Sequence, residues 1–368
     1  MRIVLPLLLL CSCGGAHAPN QARLDALGEA PPRLPSPEAS LYAVHLSTPG
    51  DPLVASVVGE LPWEESLSGA AGALGVAVAG GQPADAWSLR WAALRAGYPY
   101  PIQEFSFELV PEGQVGERVI DSLVRALQPG DHVGLARVRG GQGDYWVGVI
   151  GRPLLLLEAV PRAVPLGGVL SLSGLDAATS GGLKLSLVSP SGRLEQGDLW
   201  QGRSVTLEEQ GEHWVEVRAS SGLVASFPVY ANFMEPAAPP LAEAHHAATD
   251  PESFDLAAWE LLDIVRARFG WEAPQGDPIL GVVAKAHLND RMGHDGPRSG
   301  EFRGEPGSCR ASLSCGLLAG AGVETCFHGW LVDPQARSAL VDPRCTVAGM
   351  AADARGDRLW LQLELGQE

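Results

Sequence analysis

The hydrophobic and polar positions of this chain change rhythm several times. After Met1 and Arg2, residues 3–10 form an unbroken apolar run, far too short to span a bilayer, which reads as an export signal. Residues 14–38 carry Pro31-Pro32, Pro35 and Pro37 among small and charged residues with no sustained apolar period, the texture of a tether. Short apolar runs return at 41–46 and 73–78. A helix is expected over 86–96, with Trp87 and Trp91 four apart as core residues, and another over 116–127. Residues 133–139 and 145–150, joined by Gly140-Gly141-Gln142-Gly143-Asp144, read as a β-hairpin. The stretch 39–155 is therefore expected to be an α+β domain.

From 158 to 233 the texture is all-β, with strands expected at 169–173, 183–188, 204–208, 213–218 and 224–230. Their regular spacing points to a small immunoglobulin-like sandwich, and Trp214, flanked by alternating polar residues, is expected to plug its core. Residues 234–250 are Pro-rich and form a linker whose His245-His246 pair is expected to be solvated. A last domain, 251–368, opens with an amphipathic helix over 254–269, which puts Leu256, Trp259, Leu262 and Val265 on one stripe after the Asp250-Pro251-Glu252-Ser253 start signal. A second helix over 278–292 has Asp277 as its cap and Pro278 in its first turn. Gly293-His294-Asp295-Gly296-Pro297 follows, then a stretch of little period, then Trp330 to Thr346, and a closing hairpin at 347–351 and 359–365. The whole is a multidomain chain.

A net charge of -17 repels phosphate backbones and anionic headgroups, which argues against nucleic-acid binding and against a polybasic membrane patch. The export signal ends Leu10-Cys11-Ser12-Cys13-Gly14, which looks like a bacterial lipobox, with Cys13 as the lipidated residue of the mature protein; an ordinary signal cut near Ala16 or Ala18 is the alternative. Two or three acyl chains on Cys13 would hold the protein firmly, at ~0.8 kcal/mol per buried CH₂. Gly14, rather than Asp, after the cysteine fits an outer-membrane lipoprotein of the bacterial envelope. Four cysteines remain, Cys309, Cys315, Cys326 and Cys345, and in an exported domain they read as two disulfides of open connectivity. The favoured pairing is Cys326 with Cys345 and Cys309 with Cys315, the former closing a loop worth ~3 kcal/mol on the chain-entropy model. No Cys-x-x-Cys pair supports zinc, and no Gly-x-Ser-x-Gly elbow, His-Glu-x-x-His helix or phosphate-cradling loop is present. Arg355-Gly356-Asp357 falls in an expected hairpin turn, where Gly and Asp are ordinary.

From 252 to 366 the chain resembles the CAP family (cysteine-rich secretory, antigen 5 and pathogenesis-related proteins) in its bacterial form. The residues that carry the resemblance are the Asp277-Pro278-Ile279-Leu280 helix start, His294 in the following loop, Trp330-Leu331-Val332-Asp333-Pro334-Gln335-Ala336-Arg337, and the terminal hairpin, with an ungapped match from Trp330 to Gly349. The resemblance implies an α-β-α sandwich with a cavity lined by two His and two Glu. Here His294 matches the loop histidine, but Ala336 stands where the second belongs. No Gly-Glu-Asn occurs between Arg303 and Glu324, where Ser314-Cys315-Gly316-Leu317 is the nearest counterpart. One imidazole holds a divalent ion only weakly, so no metal and no cofactor are expected. Trp330 is expected in the core and Arg337 in a local cap or pair. A weak internal echo relates 126–146 to 339–360, with helix, turn, hairpin and late Trp in both, and leaves open whether the first domain is a degenerate relative.

Two kinds of function follow. The first is a non-catalytic, membrane-tethered protein that binds an envelope partner or an apolar small molecule. The second is a hydrolase with His294 as general base and Asp290, Asp295 or Glu301 completing the site. A purely structural surface role is a third.

Overall fold

A computed structural model describes residues 41–43, 49–59, 61–81, 86–172, 182–198, 203–220, 222–236, 241, 247–293, 301–304 and 309–367. Cys13, the tether and the His245-His246 pair lie outside the described residues, as do His294 and Asp295. The described residues belong to one unit, 32–368, of mixed α/β structure with several sheets.

The N-terminal module begins with β1 (Leu41–Tyr42), α1 (Pro52–Val58), α2 (Glu65–Ala79) and α3 (Ala86–Ala96). Then come β2 (Ile102–Val110), α4 (Glu117–Ala126) and the expected hairpin, β3 (His132–Gly140) and β4 (Gly143–Gly151). The three strands pair antiparallel in the order β2-β4-β3. Helix α2 packs on β3 and β4, and α4 lies against β2 and β4. Only the end of α2 was expected, as the run 73–78, because Gly69, Gly72 and Gly75 dilute its helical propensity. Tertiary packing explains them in part: a Cβ at Gly75 would lie 2.7 Å from Val138 Cγ2, so glycine there lets the helix settle on the sheet.

The middle module runs β5 (Val160–Pro161), β6 (Ala163–Val164), β7 (Val169–Leu172), β8 (Lys184–Val188), β9 (Leu194–Asp198), β10 (Arg203–Thr206), β11 (Gly211–Ala219) and β12 (Gly222–Ala231). Five strands form one sheet, β6-β12-β11-β8-β9, and β7 pairs with β10 in a separate ribbon. Strand alternation puts Glu212, Trp214 and Glu216 on one face and Val215 and Val217 on the other. Trp214 is buried, but on the face turned to the C-terminal module, where the Arg337 guanidinium sits 4.7 Å from its ring centroid. Glu212 and Glu216, two positions to either side, share that face and are buried with it rather than turned to solvent. On β12, the N–H of Ser226 donates to Pro99 O at 3.0 Å and the Tyr42 hydroxyl donates to Pro228 O at 2.8 Å, which ties in the N-terminal module.

The C-terminal module contains α5 (Pro251–Arg268), β13 (Gln275–Gly276), α6 (Pro278–Gly293), β14 (Glu301–Gly304), β15 (Ala311–Leu318), α7 (Glu324–Val332), α8 (Pro334–Val341) and the closing hairpin β16 (Val347–Arg355) and β17 (Arg358–Gly366). Its sheet runs β13-β16-β17-β15-β14, with α6 on one face and α5, α7 and α8 on the other. Asp250 caps α5 in a reciprocal box with Ser253, and Asp277 Oδ1 accepts the N–H of Ile279 at 2.6 Å and of Leu280 at 3.2 Å to open α6. Phe254, Ala258, Leu261, Leu262 and Val265 form the buried stripe of α5, whereas Leu256, expected on it, is 71% exposed.

The disulfides differ from the favoured pairing: Cys309 joins Cys345 and Cys315 joins Cys326. Cys315 projects from the face of β15 that meets α7, which carries Cys326, and the Cα atoms are 5.6 Å apart. Cys309 leads into β15 and Cys345 into β16, with Cα atoms 5.2 Å apart. Arg337 also departs from expectation. It is buried, donates to Leu331 O at 3.0 Å, stacks near Phe269 and Trp214, and pairs with Glu212 of the middle sheet. Arg268 holds the second Glu212 oxygen at 2.7 Å while lying 5.8 Å from the Trp91 ring centroid of α3, so residues of all three modules meet around one carboxylate.

The two end modules share part of their topology. In each, a strand is followed by helix (α4 in one, α7 and α8 in the other) and a hairpin whose last strand is central, β2-β4-β3 and β15-β17-β16, while α3 stands between α2 and β2 in the first module and the second sheet has the further strands β13 and β14. Both hairpins have nine-residue strands. In each a parallel contact precedes the helix, Trp63 with Val133 and Gly276 with Ala348, and an acidic residue, Glu64 or Asp277, caps the helix while its N–H donates to that same strand residue. Each helix also meets its sheet at one glycine. A Cβ on Gly134 would be 2.3 Å from the Leu67 carbonyl carbon, and a Cβ on Gly349 would be 2.2 Å from that of Leu280.

Burial opposes ionisation of Glu212, but Arg268 and Arg337 overcome it and hold the carboxyl at about 2. Because the folded value is depressed from 4.5, the stabilisation is full above that value and is lost as pH falls toward 2. Glu212→Gln should cost about 3–5 kcal/mol in urea unfolding at pH 7, since it leaves two buried cations short of their partner. The difference from the unsubstituted protein should shrink as pH falls toward 2.5, and a substitution neutral at pH 7 would contradict the assignment.

Candidate functional site

On the α6 face of the C-terminal sheet, polar side chains replace the leucines of the opposite face. Along β17, Leu359, Leu361, Leu363 and Leu365 alternate with Trp360, Gln362 and Glu364, and all seven are buried. On β15 the same alternation turns Ser312 and Ser314 toward α6, opposite Glu364 and Gln362. Glu364 Oε1 accepts the Ser312 hydroxyl at 2.9 Å and the Gln362 amide at 2.8 Å, and lies 2.8 Å from His287 Nδ1. Gln362 donates also to Ser312 Oγ at 2.6 Å and accepts the Ser314 hydroxyl at 2.7 Å. The carboxylate can accept a proton only from the imidazole nitrogen facing it, so the pair fixes Nδ1 as the protonated nitrogen and leaves Nε2 as an acceptor. The His287 side chain is 51% exposed, against 8% for Glu364. The network therefore reaches solvent through the imidazole and the partly exposed Ser312.

Of the residues singled out by sequence, Asp290 lies in the last turns of α6 and Glu301 at the start of β14, where its backbone pairs with Ser314. Trp330 is buried, with its ring 5.0 Å from Phe327 and its Nε1 donating to Ser314 O at 3.3 Å. Arg337 is on the opposite side of the sheet, at the interface with the middle module. The expected constellation centres on His294, which lies outside the described residues; among the described residues His287 Nδ1 lies 2.8 Å from a carboxylate. The signal that could have found it is in β17: Leu-Gln-Leu-Glu-Leu has the alternation of a strand with a polar face, in a position where helices cover both faces. Among the described residues no group of three His, Cys, Asp or Glu side chains is placed to hold a metal.

A second feature lies along α6 toward β16. A shallow groove of about 530 Å³ is lined by Pro251, Glu252 and Asp255 of α5, Pro278, Val282 and Lys285 of α6, and the Met350–Ala352 stretch of β16. Lys285 Nζ closes one side by pairing with Asp353 at 2.6 Å. Asp255 Oδ1 is buried there without a hydrogen-bond partner among the described residues, and burial raises its carboxyl above the ordinary range. Val282 is 71% exposed and Ile279, three residues earlier on the helix, 74%.

No family model matches the chain, and no curated protein matches it. Among solved structures it is similar to an extracellular protein with an SCP domain from Bacillus anthracis, at 11% identity over 58% of this chain and 67% of that one, with a TM-score of 0.23. It is also similar to a cysteine-rich secretory protein from Staphylococcus aureus, at 9% identity over 73% of this chain and 87% of that one, again with a TM-score of 0.23.

The raised Asp255 carboxyl has a sign that can be checked. Ionising it costs stability above its ordinary value, 3.8, and the deficit disappears when the group is protonated in both states. Asp255→Asn should therefore raise the thermal midpoint at pH 7 and leave it unchanged near pH 3. A midpoint lowered at pH 7 would show that the carboxylate has a partner it needs.

Proposed function

We propose that this chain is an exported protein held in the bacterial envelope, at the outer membrane, by a lipid on Cys13, and that its C-terminal module is CAP-like and docks an envelope partner. The lipobox-like Leu10-Cys11-Ser12-Cys13, the Pro-rich tether and the paired cysteines support export and anchoring. Three layers of helix, sheet and helices, with an Asp-capped helix before the sheet and an ungapped 330–349 segment, support the family reading. The middle strands are read as an immunoglobulin-like spacer and the N-terminal module as a degenerate relative of the C-terminal one.

The observation that carries docking is the groove between α5 and α6. Its exposed Val282 side chain offers apolar contact, and the unpartnered Asp255 oxygen offers an acceptor that a donor must satisfy to make burial favourable. The partner that fits is a protein segment with an apolar side chain beside a lysine, arginine or amine. The net charge of -17 draws such a cationic group toward the surface.

Two measurements test this. Metabolic labelling with a fatty acid should mark the wild-type chain, and Cys13→Ser should lose both the label and membrane retention; a labelled Cys13→Ser protein, or an unlabelled wild type cut near Ala16 or Ala18, contradicts the anchor. A photo-crosslinking residue at position 282 should give one discrete adduct in intact cells, reduced at least about fivefold by Asp255→Asn, on the scale of one charge-assisted hydrogen bond. Adducts no stronger than those from position 112, in the exposed turn before α4, would remove the groove as a docking site.

A further inference from the structure

The two end modules provide a comparison within one chain. When α2 is set on α6 by the contacts of Leu67 with Gly134 and of Leu280 with Gly349, Leu74 takes the place of His287. When β4 is set on β17, Val147 and Val149 take the places of Gln362 and Glu364. Across the ladders, Phe107 and Phe105 pair with those valines as Ser314 and Ser312 pair with Gln362 and Glu364. At these positions one module has hydrocarbon, with Leu74, Val147 and Val149 buried and Phe107 51% exposed, and the other has a hydrogen-bonded network. Hydrocarbon is enough to hold a helix on this sheet, and a buried polar network is no better a fastener than packed apolar side chains of similar volume. The polarity of the second module therefore serves something other than the fold. Gln362, Ser314 and Glu364 are buried, Ser312 is partly exposed, and the half-exposed imidazole of His287 is the group of the network most open to solvent.

We propose that His287 is a general base that hydrolyses an uncharged or cationic ester at the surface of the C-terminal module, with Glu364 as its positioning residue. Glu364 holds Nδ1–H at 2.8 Å, and Ser312 and Gln362 hold Glu364, so Nε2 is presented as the acceptor. Nε2 takes a proton from a water molecule as the water oxygen bonds to the ester carbonyl carbon. The tetrahedral adduct then breaks its bond to the alcohol oxygen, which recovers the proton from Nε2. Ester and water become acid and alcohol, and the imidazole returns to its starting state. Between the two transfers Glu364 stabilises the imidazolium. A net charge of -17 disfavours anionic esters such as phosphodiesters. The His287 side chain is 51% exposed, which fits an acyl group displayed on a larger molecule better than a small substrate that needs enclosure. Lys285 and the docking groove lie toward β16, whereas His287 reaches across to β17, so this inference stands independently of the docking reading.

The test is hydrolysis of p-nitrophenyl acetate by the full chain. His287→Ala should lower the rate by about 100-fold, the ordinary contribution of a general base. Glu364→Gln should lower kcat at nearly unchanged KM and thermal midpoint, because the imidazolium formed during the reaction loses its carboxylate; a purely structural role would lower the thermal midpoint instead. The combined variant His287→Leu, Gln362→Val, Glu364→Val, which copies the N-terminal module, should keep the thermal midpoint and lose hydrolysis. Hydrolysis unchanged in His287→Ala overturns the proposal, and so does a combined variant that melts well below the wild type, since the network is then a requirement of the fold. Asp255→Asn should leave hydrolysis intact while reducing the adduct formed from position 282, which separates failure here from failure of the docking reading.

Discussion

One buried carboxylate governs how the modules of this chain fit together. Glu212 projects from the face of β11 that a sandwich would ordinarily give to solvent, and two guanidiniums from the C-terminal module close on it. Arg337 then lies against Trp214 and Phe269, and Arg268 against Trp91. A charge removed from water in this way is tolerated only when its partners are fixed, so α5, α8, β11 and α3 are held in one relative position. Such a cluster is a weak source of net stability and a strong source of specificity, because any other docking leaves an uncompensated ion. The Trp87 ring stacked on His328 at 4.4 Å, and the bond from the Ser338 hydroxyl to Gly192 O, extend the same seam.

Around that seam stand two modules that share a three-strand order and differ in what lies beneath α2 in one and α6 in the other. The shared features are backbone requirements: an acidic cap, a parallel contact before the helix, and a glycine where helix and strand touch. These recur because the geometry leaves few alternatives. The filling is free to vary, and it varies completely, from Leu74, Val147 and Val149 to His287, Gln362 and Glu364. A difference confined to positions the backbone does not constrain is where chemistry can be added without refolding the unit.

Much of the fold was legible along the chain, and the failures have physical causes. Helices α3, α4, α5 and α6 and both long hairpins follow from periodicity, capping and turn residues, and their ends agree within a few residues. Helix α2 was hidden because its glycines serve packing against β3 and β4, an interaction invisible to local propensity. Strand β2 carries acidic residues among its aromatics and gave no clean run, and β9 is short and polar. Trp214 was placed correctly as buried but on the wrong face, because alternation identifies two faces without saying which one another module will cover. The disulfide pairing depends on where β15 and α7 meet, which spacing does not reveal. His287 was legible as a residue of α6, but its partner lies 77 positions away on the last strand, a separation only the sheet register bridges.

The most direct measurement is the tautomer of His287 by nitrogen-edited NMR of the folded chain. The expected result is a neutral imidazole with its proton on Nδ1, donated to Glu364. A proton on Nε2, or a ring that exchanges both tautomers like a free surface histidine, would contradict the claim that the network exists to present that nitrogen.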